Sequence, residues 1–558
     1  MSSDPGPLAP LRNEPAETNC PTCHWVLSVR DTWTHDIYTL AGKRTVTEVT
    51  LQCRLHRRRI FPPPPLTPSK SPFAFDVIAE AGRLRFLEQR QFAEIATALH
   101  ERGLPRLASR TVQRLTDRFA LYHMAVHLES LPILRKELDR RGGYVLVLDG
   151  TGIPGRMTLV LTDDDESGGT GWVLLAAPIA EESADQIRPF LRRLRKALGP
   201  PLSGISDQGS GLRDAFRAVF VGVYLLLCHF HVLRGFGNTL QGKRYAAFRH
   251  ELDRSGVKGR LKRLARRLRK ARGASREARG TVAWIEEILG TEQAAKGRVY
   301  PFYLSALEFY RVSVKVEAEL KAVLSRPGRR AKGRPYRKLE EILTRLSLDS
   351  KSRARLARDF PLLWQKWLWF ERIRKVLGYR NGPVPLSPEG KLSARGLERG
   401  RRRLDWLLKK LRQEAGEKSR SPLVREFHGQ LSKIAEKLET HREELFAPNV
   451  VVRVNGKSVV RALHRSNGAA ERKFHGLRHS CRRITGDDGR EGQVQREGPG
   501  MLIVSNLRDS RYARVVYGSL SHVGERFAHV NPAALAEAKL ILTRKDELTS
   551  GRKALGQQ

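Results

Sequence analysis

Cysteine is scarce in this chain, with five in 558 residues, alongside four methionines and 7% aromatics. So few cysteines cannot staple a fold of this length, which excludes a disulfide framework and points to a reducing cytoplasm. Long apolar runs are missing as well. No uninterrupted stretch reaches the roughly 18–20 residues that span a bilayer, and Met1 to Asn19 has no basic-then-apolar signal pattern. No membrane is expected. Acid is the third deficit: 59 Asp+Glu stand against 102 Lys+Arg, for a formal net charge of +43 and a pI ≈ 10.7. A surplus that large repels itself without counterions, so a polyanionic partner is expected. Hydrophobic content of 40% permits proper cores, and the length suits roughly two to four domains.

Cys20-Pro-Thr-Cys23 and Cys53-Arg-Leu-His56 form two chelating pairs on tight turns. Four protein ligands of this kind match the tetrahedral preference of Zn²⁺ and predict a structural, zinc-ribbon-like site. Pro62-Pro-Pro-Pro-Leu-Thr-Pro68 reads as a stiff linker. Residues 91–120 read as a helix-turn-helix. Phe92, Ile95, Ala96 and Leu99 form one apolar face, Gly103-Leu-Pro breaks it, and Ser109 is placed to cap a second helix. That helix carries Val112, Leu115 and Phe119 inward and Arg110, Gln113 and Arg114 outward, where Arg and Gln can reach base edges in a major groove.

Against the basic background two isolated aspartates stand out. Asp149 ends Tyr144-Val-Leu-Val-Leu-Asp, and Asp207 ends Ser203-Gly-Ile-Ser-Asp. A carboxylate at the tip of an apolar strand is costly unless its charge is compensated, and two held side by side suit divalent cations. Strands are predicted over 144–148, 157–162, 171–178, 203–206 and 221–227, with helices over 184–198 and 210–219. Three strands before any helix imply an antiparallel start, then α/β crossovers. Gly150-Thr-Gly-Ile-Pro-Gly155 matches G-x-G-x-x-G, but Pro154 and the following apolar run predict a turn into a strand, not a dinucleotide-binding helix. Asp163-Asp-Asp-Glu166 reads as a solvated hairpin tip. Cys228-His-Phe-His231 allows two readings: a packed strand end, or accessory residues near the carboxylates that contact phosphate or help position a metal-bound water.

Residues 241–445 read as almost wholly helical. Lys258 to Arg279 holds eleven Lys/Arg and one acid, with Leu261, Leu264 and Leu268 at helical spacing. A thin apolar seam with a cationic face, carrying Arg263, Arg266, Arg267 and Lys270, suits a helix lying along a phosphate backbone. Trp364, Trp367 and Trp369 read as core packing. Val450 to Arg461 reads as short strand or loop, a helix is expected from about Asn467, and 487–500 as a polar loop.

Together, Asp149, Asp207 in Ile-Ser-Asp-Gln-Gly-Ser-Gly-Leu, and Cys228-His-Phe-His-Val-Leu-Arg resemble the core of the DDE transposases of bacterial insertion sequences. The closest likeness is to the mutator-type group and its relatives, in which a helical insertion interrupts the core. Arg465 to Gly486 resembles the family's final helix, with Asn467 a few residues before Glu471 and a basic run after it. The resemblance implies an α/β RNase H-like core interrupted by a large all-α insertion. It implies Asp149, Asp207 and Glu471 as ligands of two Mg²⁺ (or Mn²⁺) ions, and Arg478, Arg482 and Arg483, with Lys473, as grips on DNA. It further implies cleavage and strand transfer on double-stranded DNA, both element ends and target, by a homodimer or larger assembly in a bacterial, nucleoid-associated setting. The expected order is a disordered lead (1–15), zinc-ribbon-like module and linker (16–68), helix-turn-helix (69–128), core (129–240), basic helical insertion (241–449), second part of the core (450–520) and a tail (521–558). Two other readings remain. One is a non-catalytic, transposase-derived DNA-binding regulator. The other is an RNA-guided RNase H-fold nuclease, although those place zinc late and end on Asp.

Overall fold

Apolar runs broken by Gly, Pro and acids set out the strands, and longer amphipathic stretches set out the helices. The computed structural model describes residues 8–62, 66–153, 156–163, 171–270, 275–293, 300–325, 333–348, 350–378, 394–446, 450–454, 456–461, 463, 468–485 and 498–543. The chain divides into two compact units. The first gathers the residues before Leu226, those of Val451–Val460 and those from 468 onward; the second is essentially Leu226–Val450.

In the first unit, β1 (Leu8–Asn13), β2 (Ser28–Thr39), β3 (Gly42–Gln52) and β4 (Arg59–Ile60) form one sheet in which β3 pairs with all three others. The lead expected to be disordered over 1–15 is therefore a strand from Leu8, paired in parallel with β3; residues 1–7 lie outside the described residues. Asp76 ties this sheet to the first helix, α1 (Phe75–Gly82), by accepting the Leu40 N–H at 2.9 Å.

The helix-turn-helix segment forms α2 (Phe92–His100) and α3 (Ser109–Arg140). Glu94 turns back to accept the Gln91 N–H at 2.7 Å, closing the first helical turn. Ser109 is not the cap, because Ala108 holds that position in extended backbone and Ser109 is already helical. The helix also runs unbroken past the boundary expected at 128. Its second half is core: His123 and His127 are fully buried and bonded to Tyr517 and Tyr512.

The central sheet contains β5 (Val145–Ile153), β6 (Arg156–Asp163), β7 (Val173–Ile179), β8 (Ser203–Ser206) and β9 (Leu225–Leu227), in the order β7-β6-β5-β8-β9. The first three strands are antiparallel and β5 pairs with β8 in parallel. The expected second strand after Gly150–Gly155 is thus present, antiparallel to the first, although β5 runs on to Ile153; residues 154–155 lie outside the described residues. Between strands lie α4 (Ala184–Leu198) and α5 (Ser210–Val219), each with its apolar side buried. Asp163 is not a solvated tip. It closes β6, is buried, and pairs with Arg141 at 3.3 Å; 164–166 lie outside the described residues.

Among the described residues the second unit is built mainly of helices: α6 (His229–Leu240), α7 (Gly242–Arg254), α8 (Val257–Lys270), α9 (Arg276–Gln293), α10 (Ser305–Leu324), α11 (Arg334–Leu348), α12 (Ser350–Val376), α13 (Ala394–Ala415), α14 (Pro422–Thr440) and α15 (Arg442–Leu445). Trp369 is buried among Phe370, Leu404 and Leu407, and Trp364 and Trp367 pack half-buried, so this cluster is core as expected. On α8, Leu261 and Leu264 are buried and Leu268 half-buried.

Back in the first unit, β10 (Val450–Val454) and β11 (Lys457–Arg461) form a hairpin, followed by α16 (Gly468–Thr485), α17 (498–504), α18 (Ser510–Tyr517), α19 (Val523–Ala528) and α20 (Pro532–Thr543). The segment 521–558, expected as a tail, is therefore helical to Thr543, and α20 packs along α3. No described helix is long and apolar enough to cross a membrane.

Candidate active site and metal-binding module

The parallel register of β5 with β8 decides where the two aspartates meet. Val145 pairs with Ser203 and Val147 with Ile205, so two residues further on the register sets Asp149 beside Asp207. Asp149 is not at a strand tip as expected. It sits within β5, opposite Val160 of β6, and is only 6% exposed. One of its oxygens accepts the Gly150 N–H at 2.9 Å. Asp207 follows β8 and is half-buried, with Oδ1 accepting the Gly209 N–H at 2.8 Å in the turn that starts α5.

Burial pushes the Asp149 carboxyl well above the usual carboxylate range, and the charges of Glu471, Asp207 and Glu182 push it further. Glu471 comes from the first turn of α16, a helix packed on β5 and β6. Phe474 and Leu477 are buried on its inner side, as expected. Lys473 departs from expectation. It too is buried, with Nζ 3.5 Å from Ser505 Oγ, and burial lowers its ammonium to about 8. A lysine in that position holds the helix and cannot grip DNA. Arg478, Arg482 and Arg483 are exposed on the outer side.

Glu182 was absent from the sequence reading. It lies between β7 and the Ser183 cap of α4, and burial together with Asp207 raises its carboxyl to about 7. Two glycines make room for it. A Cβ on Gly209 would stand 2.0 Å from Glu182 Oε1, and one on Gly211 would stand 1.8 Å from the Glu182 carbonyl oxygen. The only sequence sign was an acidic pair, Glu181-Glu182, at the end of a strand.

The site thus gathers four carboxylates from four segments, one of them buried. Like charges held this way favour a proton or a cation, and an all-oxygen donor set suits Mg²⁺ or Mn²⁺. No three of these carboxylate oxygens, one per residue, lie within 4.8 Å of one another among the described residues. The cluster is therefore wider than the shell of a single closed ion site.

The Cys/His set is tighter. Its four ligand atoms all fall within 4.8 Å of one another and could hold a metal ion. Cys20 Sγ and Cys53 Sγ lie 3.9 Å and 3.7 Å from His56 Nδ1, and Cys23 Sγ lies 3.6 Å from Cys53 Sγ. A tetrahedron with Zn–S and Zn–N bonds has edges of about 3.3–3.8 Å. Each pair sits on a turn of the same shape, since the residue after the second ligand has positive φ in both: 58° at His24 and 51° at Arg57. The N–H groups of Cys23 and Thr22 pull the Cys20 thiol down to about 6, and the His56 N–H lowers the Cys53 thiol, while burial and the neighbouring Cys53 and Cys20 raise that of Cys23. Thiolates are what a metal requires.

The remaining expected residues divide between the units. Arg110, Gln113 and Arg114 are exposed on the first turns of α3, while Val112, Leu115 and Phe119 are buried. Arg263, Arg266, Arg267 and Lys270 are exposed on α8 in the second unit. Cys228, at the start of α6, and His231 also belong to the second unit, and neither joins a metal-ligand cluster among the described residues.

No protein-family model and no curated protein matches the chain. Among solved structures the chain is similar to one described as the Drosophila P element transposase strand transfer complex. The identity is 11% and the TM-score 0.30, over 83% of this chain and 93% of that chain. A likeness at that level does not establish a fold.

Proposed function

We propose that this chain is a DDE-type DNA transposase that cuts element ends and joins them to target DNA. The observation that carries the proposal is Asp149: a buried strand carboxylate on which acids from the β8–α5 turn and from α16 converge. Asp149, Asp207 and Glu471 would hold Mg²⁺, with Glu182 adjoining. When bound, such ions activate the attacking oxygen and stabilise the leaving 3′ oxygen of an in-line displacement.

The chain's own residues supply position and charge. Arg110, Gln113 and Arg114 are placed to read base edges, as the second helix of a helix-turn-helix does. Arg478, Arg482 and Arg483 hold the phosphates that flank the cleaved bond. Arg263, Arg266, Arg267 and Lys270 add sequence-independent affinity through counterion release. Zn²⁺ on Cys20, Cys23, Cys53 and His56 is structural, since all four positions are protein ligands. Action on two element ends calls for at least two copies of the chain.

Glu471→Gln tests the reading where it is most exposed. It should keep fold and DNA binding yet lose Mg²⁺-dependent strand cleavage, as should Asp149→Asn and Asp207→Asn. Normal cleavage by Glu471→Gln would remove Glu471 from the site. Of the other glutamates near it in sequence, Glu444 is bonded to His441 at 2.8 Å in the second unit, and Glu491 and Glu497 lie outside the described residues.

A further inference from the structure

The Cys/His module has a second feature that metal binding does not use. Because its four ligand atoms converge within 4.8 Å, the residues beside them are forced to one end of the module. Trp25 and Val26 follow the first turn. Leu55 lies between Cys53 and His56, flanked by Arg54, Arg57 and Arg58. Arg58 reaches across to Thr22 of the opposite turn at 3.4 Å. Trp25, Val26 and Leu55 are 70%, 76% and 67% exposed. Among the described residues the buried cluster here is Cys20, Leu27 and Cys53, with Cys23, Leu51 and Ile60 packed half-buried against it. A module so poor in core would gain from burying an indole, so its exposure calls for another use.

Charge identifies the occupant. Residues 52–62 hold four arginines and no acid, and no ion pair engages Arg54, Arg57 or Arg58 among the described residues. Arginine and aromatic surface together would also suit a protein partner, but an acid-free arginine cluster favours a polyanion. In a duplex the base faces are stacked away, and an indole finds a partner only where bases are unpaired. We infer that this end of the module binds an unpaired nucleic-acid strand, with Trp25 stacked on a base and Arg54, Arg57 and Arg58 on the phosphates. The inference stands on this module alone and does not depend on the carboxylate site.

The test uses the full chain, with affinities measured by anisotropy for labelled single-stranded DNA, single-stranded RNA, blunt duplex and duplex with a 3′ overhang. Zinc content and mass by light scattering are measured on each variant. Trp25→Ala should weaken single-strand and overhang binding about tenfold while blunt-duplex binding stays within about twofold, and Trp25→Phe should restore most of the loss. Loss on either strand type supports the inference, and the larger loss identifies the ligand. Unchanged strand binding with zinc retained overturns it. Equal loss on blunt duplex also overturns it, in favour of plain backbone contact. A change of mass without a change in strand binding overturns it in favour of protein docking. If Trp25→Ala loses zinc, an Arg57→Gln, Arg58→Gln variant with full zinc content decides by the same criteria.

Discussion

Replacing Glu182 by Gln should stabilise the protein in the absence of divalent cations, and the gain should depend on pH. Burial and Asp207 raise the Glu182 carboxyl from 4.5 to about 7. Between these values the folded state holds a proton that the unfolded chain has released, so stability falls as pH rises through the window. Below it the charge is absent from both states and nothing is lost. Above it the full penalty applies, about 2–3 kcal/mol from the shift after allowing for partial exposure. Gln keeps the shape without the charge, so its advantage should grow from near zero at about pH 4 to that plateau at about pH 8. For a unit of this size the plateau corresponds to roughly 3–4 °C in Tm. Thermal melts across pH are the assay, in buffer freed of Mg²⁺ by resin, because a strong chelator would also strip the Cys/His site. Added Mg²⁺ should shrink the difference, since the cation stabilises the carboxylate form that Gln lacks. A gain independent of pH, or a loss at about pH 8, would refute the placement of Glu182 among the acids.

Two further outcomes follow from the buried groups. Cys23→Ser should carry about one zinc fewer per chain and loosen the N-terminal sheet, measured by metal analysis and limited proteolysis; full zinc content would sink the ligand assignment. His123 and His127 each donate Nε2–H to a carbonyl, of Ile503 and Leu174, and accept the Tyr517 and Tyr512 hydroxyls at Nδ1. Burial first, with His127 and Arg193 as neighbouring charges, lowers the two imidazoles to about 3 and about 4. The unfolded chain therefore takes up protons that the folded one refuses, and stability present above about pH 6.5 should fall as pH drops toward about 4, by roughly 3 kcal/mol or more per imidazole. His127→Asn should lower stability at neutral pH but flatten its acid dependence; an unchanged acid slope would count against a neutral buried imidazole.

Much of the central sheet was legible because its strands are apolar runs with abrupt ends. The five predicted strands and two helices from 144 to 227 all exist, and the stretch 241–445 is almost wholly helical among the described residues. The misses have a common cause. Leu8–Asn13 looks like disordered polar sequence because a strand paired at an edge needs little apolar content of its own, and its partner β3 lies thirty-odd residues away. The helices up to Thr543 are short, so nothing about their own period outweighs the Lys/Arg around them; packing against α3 makes them helices. Ser109 was a reasonable cap by type, but the helix starts one residue earlier, with Ala108 at the cap and Ser109 already helical, a shift that local preference rarely decides.

The site divides along the same line. Asp149 and Asp207 were visible because a lone acid beside an apolar strand is locally anomalous. Glu471 was visible only through a likeness to a family, since nothing in Gly468-Ala-Ala470 marks the next residue. Lys473 was misjudged because helical spacing alone does not say which side of α16 meets the sheet; once Leu477 faces inward, Lys473, four residues before it, shares its side. Glu182 shows the limit most clearly. The glycines of Asp207-Gln-Gly-Ser-Gly211 read as an ordinary turn into a helix, and a turn would explain them. Their positions are explained instead by what lies above: a methyl on either Gly209 or Gly211 would collide with Glu182. A glycine kept for the space it leaves is indistinguishable in sequence from one kept for its backbone freedom. Of the two empty volumes, the Glu182 carboxylate fills that at Gly209 and the Glu182 backbone carbonyl that at Gly211, which only the tertiary structure shows.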